Sequence, residues 1–239
     1  MSGIITWNGV SSDTLGIYVE KAPSMNRPAR KMDSYDVPGR NGSIIRMQDA
    51  WENVEQSYDI FAGSDARHTA PGYWRSIAGW LFSASGYAIL SDDFEPGYYR
   101  KAYFEGPIDI ENIMTQVGRA TITFNCDPRR FLVETVETFT GSGTMTNPTI
   151  FTAKPTLRIY GTANGSGTVS VGGKTLSIDA IVDGMVIDGE NQNATDITGT
   201  YNYNGYITGD WPVLTAGSNI VAFTGDITSI EVTPHFWTV

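Results

Sequence analysis

The chain has 239 residues, of which 41% are hydrophobic, 12% aromatic and 18% charged, and its formal net charge is −10. That balance supports a buried core and excludes a disordered chain. It also lacks the basic footprint that drives binding to nucleic acid or to anionic membranes, so neither is an expected partner.

From Met1 to Asn8 no basic segment precedes an apolar run, so no signal peptide is expected. No stretch reaches the roughly 18 apolar residues that span a bilayer. Synthesis in a cytoplasm is the expectation. The first clear element is a helix. Trp74, Ile77, Ala78, Leu81 and Phe82 fall at i, i+3, i+4, i+7 and i+8, an amphipathic stripe. Pro71 suits its first turn and Gly86 its stop. Tyr87–Leu90 and Tyr99–Phe104 read as strands joined through Glu95-Pro96-Gly97. Next, Ala120, Ile122, Phe124 and Cys126 alternate with Arg119, Thr121, Thr123 and Asn125. That is a strand with one buried and one wet face. Cys126, the single cysteine, falls on the buried face and reads as a small core residue.

Composition shifts near residue 130. Residues 1–130 hold 13 of the 16 Lys and Arg but 6 of the 26 Thr. Two domains are expected, 1–130 and 154–239, with 131–153 as a Thr-, Gly- and Ser-rich linker. The second domain reads as short strands: Thr156–Tyr160, Thr168–Val171, Leu176–Ile178, Met185–Ile187, Tyr201–Tyr203, Tyr206–Ile207, Ile220–Phe223 and Ile230–Thr233. Gly172-Gly173, Asp183-Gly184, Asp188-Gly189 and Asn204-Gly205 supply turns. This spacing suggests a sandwich or jelly roll.

Motifs for chemistry are weak. Gly173-Lys174-Thr175 resembles the end of a phosphate loop, but Thr168 stands where the pattern needs glycine and a strand follows, so a hairpin turn is expected. Asp92-Asp93-Phe94-Glu95 reads as a solvated turn rather than a cation site. His68 and His235 lie far apart, and no zinc frame or Gly-x-Ser-x-Gly elbow is present. No catalytic residue, metal or cofactor is expected, and the chain does not read as an enzyme. Tyr201, Tyr203, Tyr206 and Trp211 form a local aromatic group, which reads as sheet packing or as a face for a glycan or partner.

The order of features carries the clearest signal. Ile5-Thr6-Trp7-Asn8-Gly9-Val10 is followed by Leu15-Gly16-Ile17-Tyr18-Val19 and by Val37-Pro38-Gly39-Arg40-Asn41-Gly42-Ser43. Then come Trp74 and Trp80-Leu81 of the helix, Tyr87–Asp93, Gly97–Ala102 and Gly118–Pro128. Asn147-Pro148, Lys154–Gly161, Gly217–Ile220 and Ile230–Trp237 complete the series. This series resembles the distal tail proteins of long, non-contractile-tailed phages that infect Gram-positive bacteria, from about residue 5 to the C-terminus. The family pattern of Pro, a basic residue and Trp at the end stands here as Pro234-His235-Phe236-Trp237, a mild departure.

The resemblance implies a mainly β protein. Its N-terminal tail-tube-like domain would carry one α-helix and a protruding hairpin, and its C-terminal domain would be a galectin-like or jelly-roll β-sandwich. The sequence itself leaves open whether the last strand packs back on the first domain. The implied role is a structural hub at the virion tail tip. Six copies would form a ring joining the tail tube protein to a tail-associated spike or lysin protein, with receptor-binding proteins carried outward. For the turn-rich loop of Val37, Pro38, Gly39, Arg40, Asn41 and Gly42 we expect contact with a neighbouring subunit. A carbohydrate-binding module acting through Tyr201, Tyr203, Tyr206 or Trp211 is the alternative, and a cell-wall hydrolase the third reading. The roughly 85 residues after the linker leave no room for an inserted carbohydrate-binding module.

Overall fold

The computed structural model describes residues 3–62, 71–106, 110–111, 119–133, 135–181 and 184–239. The chain divides into two compact units, one running to Arg130 and including Val239, the other Phe131–Thr238.

The first unit contains β1 (Ile5–Trp7), β2 (Val10–Ser11), β3 (Ile17–Val19), β4 (Arg30–Tyr35), β5 (Ile44–Trp51), β6 (Val54–Ala62), α1 (Pro71–Leu81), β7 (Ala88–Asp92), β8 (Tyr98–Tyr103), β9 (Ile110–Glu111) and most of β10 (Arg119–Leu132). The main sheet runs β2-β1-β7-β8-β10-β6-β3, with β9 on β10. β4 and β5 form a separate two-stranded sheet. The alternation from Arg119 to Cys126 is realised: Ile122, Phe124 and Cys126 are buried and pair antiparallel with Tyr58, Gln56 and Val54 of β6. Pro128, which has no N–H to give a ladder, lies past the last β6 partner.

The helix begins at Pro71 and buries Ile77 and Leu81 as its stripe requires. The side chain of Trp74 lies outside the described residues, as does His68. Two corrections arise at its end. The helix stops at Leu81 rather than near Gly86: the Phe82 N–H makes the last bond to the Ala78 carbonyl, the Ser83 N–H tightens the chain onto the Trp80 carbonyl, and the Trp7 indole N–H satisfies the terminal Leu81 carbonyl (3.1 Å). Phe82 is therefore beyond the helix and largely exposed, with its ring edge-on to Phe104. Trp80, off the expected stripe, is buried and donates its indole N–H to the Val10 carbonyl (3.2 Å). The two tryptophan motifs thus clasp each other across 70 and 74 positions of sequence.

The second unit contains β11 (Glu137–Phe139), β12 (Gly143–Asn147), β13 (Thr156–Gly161), β14 (Gly167–Val171), β15 (Lys174–Ile178), β16 (Met185–Asp188), β17 (Asn193–Thr195), β18 (Ile207–Gly209), β19 (Gly217–Gly225), β20 (Ile227–Thr233) and β21 (Trp237–Thr238). Two five-stranded sheets, β11-β20-β13-β16-β17 and β12-β19-β14-β15-β18, share one core that includes Leu157, Ile159, Val171, Ile187, Val221 and Ile230. The chain is mainly β with one helix among the described residues, as expected.

Residues 131–153 are not a plain linker. β11 joins one sheet, β12 joins the other, and Met145 enters the core. The threonines that suggested a linker alternate with Met145 and Asn147 and serve as the wet face of a strand. Asn147 and Asn219 are buried and fully engaged. Asn219 Nδ2 donates to the Thr215 and Gly217 carbonyls, and its Oδ1 accepts from the Thr215 N–H and hydroxyl. These bonds replace the ladder where the chain turns into β19.

Gly172-Gly173 turns β14 into β15 with φ of 59° and 79°, as a two-residue hairpin requires. A side chain at Gly172 would also strike the Val213 carbonyl oxygen. Asn204-Gly205 behaves differently. Asn204–Tyr206 is a short 3-10 turn, and Tyr201–Tyr203 is not a strand. The reason is the backbone: neither Asn204 nor Gly205 takes the positive φ that a two-residue hairpin turn needs, and Asn204 Oδ1 instead accepts the Ala194 N–H of β17. Asp183 lies outside the described residues.

Candidate functional site

The hairpin β4–β5 brings the sequence-expected loop into view. Val37, Pro38, Gly39, Arg40, Asn41 and Gly42 form its tip, all exposed. Gly39 and Gly42 take positive φ, the Arg40 N–H donates to the Val37 carbonyl, and the Ser43 hydroxyl donates to Asp36. The tip is therefore internally tied and held at the end of a ribbon.

Both faces of the ribbon carry exposed large side chains, Tyr35 and Ile44 among them, and one face is the more apolar. Register pairs Met32 with Met47 and Ser34 with Ile45, so these four share one side. Asp33 pairs with Arg46 and Tyr35 with Ile44 on the other, where Gln48 also donates to Asp33. Met32, Ile45 and Met47 are 55%, 56% and 56% exposed. Two-stranded ribbons are marginal alone, and this one holds three large apolar side chains in water on one side. At its base, Asn53 bonds Tyr87 and Asn125, and Arg30 sits over the Trp51 ring. Sequence reasoning found the tip but missed this face, because Met32, Ile45 and Met47 are brought together only by register.

The aromatic group of the second unit is dispersed. Tyr203 and Trp211 pack against the core, while Tyr201 and Tyr206 are exposed. Tyr203 and Tyr206 meet edge-on, with centroids 5.6 Å apart. The four rings do not form one open plane.

The chemistry-bearing groups are used structurally. Asp92 Oδ1 accepts the N–H groups of Phe94 and Glu95, and its Oδ2 accepts the Tyr58 hydroxyl (2.7 Å). Burial, and then the Asp92 charge, raise the Tyr58 pKa well above its ordinary value. Glu95 reaches Arg130 and lies 3.8 Å from Arg100, and both guanidinium groups are buried. The Arg130 guanidinium also lies over the Tyr98 ring. Lys174 pairs with Asp210 in the hairpin that resembled a phosphate loop. His235 Nε2 lies 3.0 Å from the Thr156 hydroxyl. Among the described residues no three His, Cys, Asp or Glu side chains converge as a metal site, and no described helix is long and apolar enough to cross a membrane.

Cys126 is buried, and burial pushes its thiol up to about 12, with the nearby Arg100 opposing this and Asp127 adding to it. A thiolate is the reactive form. A thiol reagent at pH 8 is therefore expected to leave the native chain unmodified and to label one site only after denaturant is added, as read by mass spectrometry. Rapid labelling of the native chain would contradict this burial.

No family model matches the chain, and no protein of curated function matches it in sequence. Solved structures do match it over nearly its whole length. SPP1 Dit (gp 19.1), described as a paradigm of the hub adsorption apparatus in phages infecting Gram-positive bacteria, superposes with a TM-score of 0.68 at 15% identity, covering 99% of each chain. A chain of the phage p2 baseplate in its activated conformation with strontium gives 0.55 at 8% identity, covering 98% of this chain and 99% of that one. The calcium form gives 0.54 at 7% identity over 97% of each. The full-length superposition agrees with the resemblance read from the order of motifs, and the chain has the fold of a phage distal tail protein.

Proposed function

We propose that this protein is a structural hub of a phage tail tip or baseplate, without catalytic activity, and that six copies close into a ring. The ring would join the tail tube protein to a spike or lysin protein and carry receptor-binding proteins. The observation that carries this reading is the exposed apolar side of the β4–β5 ribbon. A head-to-tail contact that uses one patch on each subunit and a different patch on the next closes a ring when the rotation allows it. A projecting ribbon with Met32, Ile45 and Met47 on one side is suited to be the first patch, with its tip at Val37–Gly42 extending the contact. The full-length likeness to a tail hub protein supports the same role.

The test is absolute mass in solution by light scattering across a range of concentrations. Six chains of 26.1 kDa give about 157 kDa. A species of that mass is the expected result. A single chain at every concentration, alone and with tube and spike proteins added, would remove the ring from the reading.

A further inference from the structure

The described methionines fall into two groups. Met145 and Met185 are buried in the core of the second unit, whereas Met25, Met32 and Met47 are exposed. Met32 and Met47 are also direct cross-strand partners, so both side chains leave the ribbon on the same apolar face. We propose that Met32 and Met47 are a paired oxidation site, and that their conversion to sulfoxides by a peroxide blocks assembly through this face. The second clause rests on the ring reading.

The chemistry is an oxygen-atom transfer. A sulfur lone pair attacks one oxygen of hydrogen peroxide, the S–O bond forms, and the O–O bond breaks. Proton transfer to the departing oxygen releases water. Each sulfur loses two electrons and each peroxide gains two, so the pair consumes two peroxides. Each product replaces a flexible apolar group by a polar, chiral one. With both converted, two of the three exposed large apolar side chains on that face, Met32, Ile45 and Met47, have become polar. Peroxide reaches the pair in the unassembled subunit, and the ring shields it.

The experiment treats the full-length chain with hydrogen peroxide at a dilution where light scattering reads single subunits. Peptide mass spectrometry then locates the added oxygen. Met32 and Met47 are expected to gain it roughly tenfold or more faster than Met145 and Met185, because buried sulfur reacts only from opened states. On concentration the oxidised chain is expected to stay single while the untreated chain forms the ring. Methionine sulfoxide reductases are expected to restore assembly. A Met32→Leu, Met47→Leu chain is expected to assemble after the same treatment. Treatment of the preformed ring is expected to oxidise Met25 and spare the pair.

Equal oxidation rates at Met32, Met47, Met145 and Met185 in the single subunit would overturn the site. Normal assembly by the doubly oxidised chain, or peroxide-sensitive assembly by the double leucine variant, would overturn the assembly consequence. A chain that never assembles before treatment, alone or with tube and spike proteins added, overturns the ring reading and that consequence together, and the mass spectrum still decides the site.

Discussion

Replacing Ile45 and Met47 together by glutamate is expected to convert a ring into single chains without unfolding them. Both side chains are more than half exposed, so the folded subunit loses little, within about 0.5 kcal/mol per position for ordinary surface changes. At a subunit contact the same change removes two apolar side chains from burial, about 1.5–3 kcal/mol each. Together that is about a hundredfold to ten-thousandfold in association constant at each contact. Burying two unpaired carboxylates adds to the loss. Light scattering measures the mass, and circular dichroism checks the fold. A ring that survives this pair of charges, with the fold intact, would show that another surface carries the assembly. Replacing Arg40 at the tip is a milder version of the same test, since its side chain is exposed and its backbone N–H holds the turn whatever the side chain.

The second large effect is expected at Glu95. Its carboxylate lies between Arg100 and Arg130, whose guanidinium groups are both almost wholly buried. Among the described residues Arg100 Nη1 and Arg130 Nε have no hydrogen-bond partner, and Glu95 is the carboxylate the two guanidinium groups share. Glu95→Gln keeps the shape and removes the charge, leaving two buried cations without the carboxylate they share. Breaking a buried ion pair in this way costs about 3–5 kcal/mol. The expected result is a fall of that size in the unfolding free energy of the first unit, followed by tryptophan fluorescence in urea. Replacing Glu95, Arg100 and Arg130 together by apolar residues of similar size is expected to recover most of it, because no charge is then left uncompensated. A loss below about 1 kcal/mol for Glu95→Gln would mean that water reaches the guanidinium groups and screens them.

Glu95 was legible in the sequence only as part of a turn, Glu95-Pro96-Gly97. That reading is correct for the backbone: the Tyr98 N–H donates to the Glu95 carbonyl and Gly97 takes positive φ. Arg130 is 35 positions away, and nothing local marks it as the partner of Glu95. The same limit applied to the ribbon. Turn residues at Val37–Gly42 are a local signal, whereas the apolar side made by Met32, Ile45 and Met47 exists only once register pairs two strands.

Local physical preferences determined much of this protein from its sequence alone. Period-two alternation placed Ile122, Phe124 and Cys126 inward, and glycines able to take positive φ set the Gly172-Gly173 hairpin. The ordered series of short motifs pointed to the fold that the full-length superposition displays. Tertiary structure decided the rest, where a distant group competed for a local one. The distant Trp7 indole satisfies the Leu81 carbonyl where the helix ends, and the Ala194 N–H takes the Asn204 side chain where the chain forms a 3-10 turn instead of a hairpin. Strand partners in two sheets drew the threonine-rich stretch after residue 131 into β11 and β12. In each case the local preference is worth about 1 kcal/mol or less, and a long-range hydrogen bond or a buried side chain outweighs it.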